Sequence, residues 1–412
     1  MVPKGWEKNS LDSLFEFKNG LNTEKEQYGN GYKFVNVMDV FRNDILTESK
    51  IIGRVQVTDK QLEGYQLKYG DVLFNRTSET FDEIAIAAIY LDNAIATFGG
   101  FVIRARPKGN QIDPAYSVFL FQSKSYRSQV VKLGQGAIRA NIGQKDLARV
   151  CILVPPLAEQ KKIAQILSTW GKAIAVTEKL LTNSQQQKKA LMQQLLSGKK
   201  RLLDENGVRF SGEWKRVKLG AIADMNSGGT PKSTVEEYYG GNIPWVSISD
   251  MTSNGKWIAT TEKYLTELGL NSSSARIYPK NSVLYAMYAS IGECSIAAVN
   301  LTSSQAILGI RPKDCLNYEF LYFYLTSLKE KIKLQGQQGT QSNLNAGMVK
   351  EFELDLPSIR EQQKIAAVLS AADAEISTLE KKLACLRDEK KALMQQLLTG
   401  KRRVKVDEAV AV

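Results

Sequence analysis

One stretch of this chain occurs twice, and it constrains the fold more than any other feature. Residues 188–201 read KKALMQQLLSGKKR and residues 390–403 read KKALMQQLLTGKRR, an offset of 202 positions. Upstream, EQKKIAQILS at 159–168 returns as EQQKIAAVLS at 361–370 with no gap, and 23 of the 43 positions from 159 to 201 are identical to their counterparts. The chain is therefore built as an internal repeat.

Both copies carry apolar residues spaced alternately by four and three positions, the pattern of a coiled-coil seam. Each predicts a long helix whose apolar stripe is too narrow to face a globular core, so we expect the two helices to pair with each other. Two unrelated surface helices would not need near-identity at a fixed offset. At about 1.5 Å per residue, the segment from Ile163 to Leu195 would span roughly 48 Å and act as a ruler. The predicted seam consists of Ile163, Leu167, Trp170, Ile174, Thr177, Leu181, Ser184, Lys188, Leu191 and Leu195 in the first copy and Ile365, Leu369, Ala372, Ile376, Leu379, Leu383, Leu386, Lys390, Leu393 and Leu397 in the second.

The segments outside the helices mix short strand patterns with turns, which predicts an α+β fold. In the first, FVNVMDV at 34–40, GDVLFNR at 70–76 and EIAIAAIYL at 83–91 are typical of strands, and Pro114 to Lys132 predicts a helix. The second repeats this layout, with WVSISDM at 245–251 and KNSVLYAM at 280–287. The offset between the copies drifts only inside these segments.

We therefore divide the chain into five parts, related by a pseudo-twofold internal repeat. Pro155 and Pro156 begin the first helix and Gly198 follows its end, as these residue types commonly do. The parts are a globule at 1–154, a helix at 155–203, a second globule at 204–355, a second helix at 356–403 and a tail at 404–412.

Composition argues against catalysis. The chain has no histidine, which removes the commonest general base and most zinc sites. A phosphate-binding GxxxxGK[ST] loop, a GxGxxG turn and an Asn/Asp-Pro-Pro-aromatic tetrad are also absent from the sequence. The cysteines, Cys151, Cys294, Cys315 and Cys385, are scattered, so we expect free thiols and no metal or other cofactor. No apolar run is long enough for a membrane span or resembles a signal peptide, and we expect a cytoplasmic protein.

The net charge of +12 is concentrated on the first helix, where residues 155–203 carry 9 basic and 2 acidic side chains. The clusters Lys199, Lys200, Arg201 and Lys401, Arg402, Arg403 follow the helix ends. A polyanion would explain this excess. Solvated helix faces with cations favourably placed at helix C-termini would explain each cluster equally well.

The chain resembles the specificity subunit of Type I restriction-modification systems over its whole length. The resemblance rests on the PPLAEQKKIA and LPSIREQQKIA helix starts and the repeated KKALMQQLL ends, and SGGTP at 227–231 resembles a common start of the second recognition domain. NGLNT at 19–23 departs from that pattern. The resemblance implies two target recognition domains, an antiparallel pair of conserved helices, and a non-catalytic subunit that binds methyltransferase subunits and, through them, restriction subunits.

Physical reasoning supports that implied role. One small globule covers few base pairs, whereas two globules on a rigid spacer can read two short sequences separated by an unread gap. We predict a bipartite double-stranded DNA target contacted by polar, glycine-rich loops, although any one loop residue is as readily an ordinary surface residue. The predicted contacts are Asn75, Arg76, Thr77, Ser78, Gln135, Arg139 and Asn141 in the first globule and Thr230, Lys232, Tyr288, Ser290, Gln338, Thr340, Gln341 and Asn343 in the second.

Two other classes of protein remain open at this stage. A structural coiled-coil protein could use the globules to bind other proteins, and it would have no affinity for DNA. An enzyme fused to its own recognition domains would need a methyltransferase or nuclease motif, and the sequence shows neither.

Overall fold

A computed structural model describes residues 2–136, 139–337 and 343–406, with side chains described for all of these except 333–337. The chain forms two compact units: unit 1 combines Met1–Glu178 with Lys381–Val412, and unit 2 is Lys179–Glu380. Each unit thus contains one globule and part of both repeated helices. No described helix is both long and apolar enough to cross a membrane.

The elements of the first half of the chain are mostly short. The strands are β1 (Glu7–Ser10), β2 (Phe15–Asn19), β3 (Tyr28–Val35), β4 (Ile45–Leu46), β5 (Arg54–Val55), β6 (Val72–Asn75), β7 (Thr77–Ser78), β8 (Ala87–Tyr90), β9 (Ala96–Phe98), β10 (Val102–Pro107), β11 (Ala140–Asn141) and β12 (Cys151–Val154). The helices are α1 (Leu11–Leu14), α2 (Val37–Arg42), α3 (Asp59–Tyr65), α4 (Pro114–Leu120), α5 (Lys124–Leu133), α6 (Gln144–Ala148) and the long α7 (Leu157–Leu195).

The second half follows the same plan. Its strands are β13 (Lys215–Lys218), β14 (Ala223–Ser227), β15 (Tyr239–Val246), β16 (Trp257–Ile258), β17 (Lys263–Leu265), β18 (Val283–Ala286), β19 (Cys294–Ala297), β20 (Thr302–Ser303), β21 (Ile307–Pro312) and β22 (Glu353–Leu356). Its helices are α8 (Leu219–Ile222), α9 (Ile248–Asn254), α10 (Glu267–Asn271), α11 (Tyr318–Gln337), α12 (Ala346–Lys350) and the long α13 (Ile359–Leu397).

In unit 1 a five-stranded sheet of order β2-β10-β6-β8-β4 is antiparallel except for β4, which runs parallel to β8. Both faces of this sheet are buried. Consecutive residues of β6 point to opposite sides of the sheet, and each side is covered by its own core. Val72 and Phe74 lie in one core with Tyr126 of α5, whereas Leu73 lies in another with Phe98. A smaller sheet, β5-β3-β9, flanks the second core.

Unit 2 has the same strand plan, with a sheet of order β14-β21-β18-β19-β16 and a smaller sheet of order β17-β15-β20. In β18, Tyr285 lies in one core with Phe320 of α11, and Leu284 lies in the other with Met251. The matching order and the matching pair of cores confirm the internal repeat predicted from the sequence.

The helices α7 and α13, each of 39 residues, pair antiparallel within each unit. In unit 1 the start of α7, with Ile163, shares a core with Leu397 at the end of α13. In unit 2 the relation is reversed, since Leu195 shares a core with Ile365. The Ser184 hydroxyl donates a hydrogen bond of 3.0 Å to the Glu375 carboxylate between the two helices. All the residues predicted to form the seam are buried or half-buried.

Three predictions of local structure were partly wrong. The segment 34–40 is a strand only to Val35, because Asn36 and Asp39 form a capping box that begins α2. The predicted helix from Pro114 to Lys132 is interrupted, because Ser123 caps a new helix by accepting a hydrogen bond from the Tyr126 backbone N–H. Within 83–91 the strand begins only at Ala87, after Ala85 adopts a left-handed φ of 51°.

In unit 1 an ion pair between Glu159 and Arg403, which we call a clamp, joins the start of α7 to the segment after α13. Glu159, in the first turn of α7, accepts two hydrogen bonds of 2.7 Å from Arg403 and one of 3.0 Å from the Trp6 indole N–H. The hydrogen bond to Glu159 raises the pKa of Arg403. Arg403 also donates to the backbone oxygen of Lys4, so the end of the second repeat is fastened to the start of the first.

The same clamp recurs in unit 2. Glu361 accepts hydrogen bonds of 2.6 and 2.8 Å from Arg201 and one of 3.2 Å from the Trp214 indole N–H. Each clamp joins the Glu of one repeat's helix start to the Arg after the other repeat's helix end. This contact gives a physical reason for the Glu of the EQ motif and the Arg of the GKxR motif, which are identical in both copies.

Candidate nucleic-acid interface

In unit 1 the structure brings together the two loops that were predicted to contact DNA. Thr77 and Ser78 of β7 pair antiparallel with Asn141 and Ala140 of β11. Gln135 extends this ribbon, since its backbone exchanges hydrogen bonds of 2.9 and 2.7 Å with Asn141. Segments about sixty residues apart in the sequence therefore form one surface.

Two of the predicted contact residues are buried and cannot reach a ligand. The Asn75 amide donates to the backbone oxygens of Thr77 and Glu83 and accepts from the Ile86 N–H, and its exposed fraction is zero. Ser78 is also buried, and its hydroxyl bonds to Glu83 and to the Thr80 N–H. Asn75 and Ser78 therefore position the loop, which corrects their predicted role as contacts.

The remaining predicted residues in unit 1 are accessible. Arg76, Gln135, Arg139 and Asn141 are exposed and Thr77 is half-exposed. Arg76 is held by its backbone, which donates to the Phe101 oxygen at 2.8 Å and accepts from the Ile142 N–H at 3.0 Å. Within the described part of the chain, the guanidinium groups of Arg76 and Arg139 have no ion-pair partner.

Phe101 is a candidate contact that the sequence reasoning missed. It is 64% exposed and lies beside Arg76 through the backbone hydrogen bond just described. Together with residues 21–23 it lines a small cavity of about 170 Å³. A large exposed aromatic ring at such a position can stack or pack against a base. No sequence signal marked it, because it stands in a short turn between two strands.

The NGLNT and SGGTP loops have the same backbone arrangement although their sequences differ. Gly20 donates its N–H to Val102, and Gly228 donates to Ile307, both at 3.0 Å. Each glycine touches the neighbouring turn so closely that a Cβ would lie 1.9 Å from the Gly99 oxygen or 2.2 Å from the Ser303 oxygen. Glycine is therefore required at both positions, and the loop resemblance extends to the first domain.

In unit 2 the corresponding surface carries different side chains. Thr230, Lys232, Tyr288, Ser290 and Asn343 are all exposed. The Leu344 N–H donates to the Met287 oxygen at 3.0 Å, as the Ile142 N–H does to Arg76 in unit 1. A cleft of about 620 Å³ lies between Ser227, Tyr288 and Gln305. The other predicted contacts, Gln338, Thr340 and Gln341, lie outside the described residues.

The loop that carries Tyr288 and Ser290 has a strained backbone. Ala289 and Ser290 have φ values of 37° and 30°, which are uncommon for residues other than glycine. The turn is held by a hydrogen bond of 3.0 Å from the Glu293 N–H to the Ser290 oxygen and by an ion pair between Glu293 and Lys329. Such strain is often found where a side chain is presented to a ligand.

A second kind of surface occurs beside the repeated KKALMQQLL segments. Groove 1, in unit 1, has a volume of about 700 Å³ and lies between the end of α13 and the turn before α5. Groove 2, in unit 2, has a volume of about 990 Å³ and lies between the end of α7 and α11. Repeat-related residues line both: Lys188, Lys189, Met192, Gln193 and Leu196 in groove 2 correspond to Lys390, Lys391, Met394, Gln395 and Leu398 in groove 1.

These surfaces are suited to binding. Arginine, glutamine and asparagine side chains on exposed loops can make paired hydrogen bonds to base edges, and lysine, serine and threonine commonly contact phosphates. No cluster of three or more His, Cys, Asp or Glu residues suitable for a metal ion is present among the described residues.

Comparison with known proteins identifies the family. The model of the Type I restriction modification DNA specificity domain matches residues 3–183 and 211–386. A Methanocaldococcus jannaschii protein, provisionally named the MjaX type I restriction enzyme specificity subunit, is 26% identical, and the match covers 98% of this chain and 95% of that protein. The Escherichia coli EcoR124I/EcoR124II specificity subunit is 28% identical over 57% of each chain.

Solved structures show the same fold. The crystal structure of the S subunit from M. genitalium matches with a TM-score of 0.58 and 17% identity, over 96% of each chain. The HsdS subunit from Thermoanaerobacter tengcongensis matches with a TM-score of 0.51 and 17% identity, over 97% of this chain and 98% of that one. The family model covers most of the chain in two copies, one for each globule with part of its helix. The chain therefore belongs to the family of Type I restriction-modification specificity subunits.

Proposed function

We propose that this chain reads a bipartite, asymmetric DNA target, with one half-site for each globule. The observation that carries this proposal is that the two units hold their contact loops with the same backbone hydrogen bonds but present different side chains. Arg76 of unit 1 corresponds to Met287 of unit 2, and each backbone bonds to the corresponding turn of its own unit. The Arg76 side chain is exposed, whereas that of Met287 is buried. One framework with two sets of side chains suits two dissimilar half-sites.

The chain itself supplies recognition and no chemistry. Methyl transfer to the exocyclic amino group of adenine, with the base flipped out of the helix, belongs to partner methyltransferase subunits. Restriction subunits join through that complex. The absence of histidine and of a methyltransferase motif in the sequence agrees with this division of labour.

Grooves 1 and 2 are the proposed docking sites for two methyltransferase subunits. Five groove-lining residues are identical between the units, whereas Leu195 and Leu397, which are also identical, are needed for the buried core. Core packing alone does not require exposed residues such as Lys189 and Lys391 to be the same. A surface that occurs twice and binds the same partner at both places does require the same exposed residues in both copies.

Removing the two unpaired guanidinium groups tests DNA reading by unit 1. Arg76→Ala combined with Arg139→Ala should weaken specific binding by the assembled complex by about 30-fold or more at moderate salt, because each of two bidentate contacts to a base contributes about 1–3 kcal/mol. Binding is measured by fluorescence anisotropy on the target duplex and on a duplex with the first half-site scrambled.

Arg149→Ala is the matched control, because Arg149 is an exposed arginine of the same globule that lies outside the predicted loops. The control should bind as the parent does. If the double variant kept full discrimination between the two duplexes, the assignment of these loops as the reading surface would be wrong.

A further inference from the structure

The two grooves differ in charge although their shared walls are identical. Five basic side chains and no acidic one line groove 1: Lys124, Arg387, Lys390, Lys391 and Lys401. Groove 2 is lined by Lys188 and Lys189 together with Glu330 and Asp373, so its charges balance. Arg387 is partly neutralised by Glu178 at 2.7 Å, and the other four cations of groove 1 have no ion-pair partner among the described residues.

A single repeat-related position accounts for part of this difference. In unit 2, Asp373 of α13 forms an ion pair with Lys188 across the helix seam. The repeat-related position in unit 1 is Gly171, which has no side chain. A Cβ built on Gly171 would lie 3.6 Å from the Lys390 ammonium nitrogen, so the space for a partner exists and is not used. Each lysine also rests over an aromatic ring, Lys390 on Phe119 and Lys188 on Phe323.

We propose that the two docking sites are unequal and that the first methyltransferase subunit binds at groove 1 of unit 1. This inference rests on the proposed function, because it takes grooves 1 and 2 as the docking sites. A partner that presents one surface to both grooves must complement the lysines they share, and that surface is therefore acidic. The apolar contacts, through the shared Met and Leu residues, are common to both sites. The additional cations of groove 1 then strengthen binding there alone.

The inequality depends on ionic strength. Exposed charges are screened over about 10 Å at 0.1 M salt and over about 3 Å at 1 M, while contacts between apolar groups are not weakened by screening. At low salt the complex should therefore assemble in order, with a populated intermediate of one methyltransferase subunit per chain. At high salt the two sites should become equivalent.

The test is a titration of the full chain with the methyltransferase subunit encoded with it, followed by native mass spectrometry. At about 0.05 M salt we expect two stepwise dissociation constants that differ by about tenfold beyond the statistical factor for equal sites, and this difference should shrink toward 1 M salt. Lys391→Glu should abolish the tighter binding step, at groove 1, and Lys189→Glu should abolish the weaker step, at groove 2. Lys172→Glu, an exposed lysine outside groove 1, is the charge control.

Exchanging the repeat-related residues tests the cause. Gly171→Asp should weaken binding of the first methyltransferase subunit and reduce the difference between the two dissociation constants. Gly171→Asn, which alters the helix equally but adds no charge, should change neither. Asp373→Asn should strengthen the second step. Circular dichroism confirms that each variant is folded.

The outcomes separate the inference from the proposed function. Two bound subunits with equal constants at low salt would overturn the inequality and leave the proposed function standing. Two bound subunits that respond to neither Lys391→Glu nor Lys189→Glu would show that docking occurs elsewhere, which also overturns the inference. A parent chain that binds no methyltransferase subunit would contradict the proposed function itself.

Discussion

At the scale of single residues, the motif residues shared by the two repeats make contacts between the repeats. Glu159 is nearly buried, with 4% of its side chain exposed, and it is neutralised by Arg403. The basic residues that follow the helix ends therefore have different roles. Arg201 and Arg403 are committed to clamps, while Lys199, Lys200, Lys401 and Arg402 are exposed. A sequence pattern of adjacent cations cannot separate these roles.

Arg201→Ala should lower the free energy of unfolding of unit 2 by about 3 kcal/mol, because it leaves the buried Glu361 carboxylate without its cationic partner. Arg403→Ala should lower the free energy of unfolding of unit 1 by a smaller amount, since the Arg403 side chain is 43% exposed and that of Arg201 only 21%. Urea unfolding followed by hydrogen exchange in each unit measures both effects. Arg402→Ala serves as the control, and an equal loss of stability in all three variants would contradict the clamp.

At the scale of elements, the seam of α7 and α13 explains why strongly polar residues occur within a coiled-coil pattern. Ser184 is buried at the seam and bonds to Glu375, and Lys188 pairs with Asp373. These polar contacts join residues at particular heights on two antiparallel helices, and they therefore favour one register over others. The helices align between repeats without an insertion, which is expected if their length matters for function.

Lengthening the paired helices tests whether they set the unread gap of the DNA target. Four residues inserted after Ser184, and four after Glu375, which faces it, lengthen the pair by about 6 Å, or close to two base pairs at 3.4 Å each. The four-residue step produces a stutter that local unwinding can absorb. Methylation mapping should then show the same half-sites with a wider gap.

Insertion in one helix alone is the control, and it should reduce stability because it shifts the seam on one side only. An active lengthened protein that retained the original gap would show that the methyltransferase subunits set the spacing.

At the scale of the whole molecule, unit 1 is assembled from two separate pieces of the chain, whereas unit 2 is one continuous piece. Unit 1 takes its last helix segment from residues 381–412, and the clamp at Arg403 closes it. Each unit therefore combines a recognition globule with a groove formed in part by the other repeat's helix. This arrangement places one proposed reading surface and one proposed docking surface in the same folded body.

The purified chain should show no methyl transfer to a target duplex in the presence of S-adenosylmethionine. Addition of its methyltransferase subunit should produce methylation in both half-sites, with two methyltransferase subunits per chain at saturation. Incorporation of radiolabelled methyl groups and native mass spectrometry check these two expectations. Methylation by the chain alone would contradict a pure recognition role, and saturation at one subunit would contradict two docking grooves.

The sequence by itself determined the long helices, their seam and the repeat, because these depend on periodicity and identity along the chain. Only the tertiary structure decided which loop residues are available to DNA. Asn75 and Arg76 are neighbours in one polar stretch, yet Asn75 is the last residue of β6, in which every residue is buried, whereas Arg76 lies just beyond the strand and is exposed. The grooves and the clamps also required the fold, because antiparallel pairing brings residues of one repeat against residues of the other that are far away in the chain.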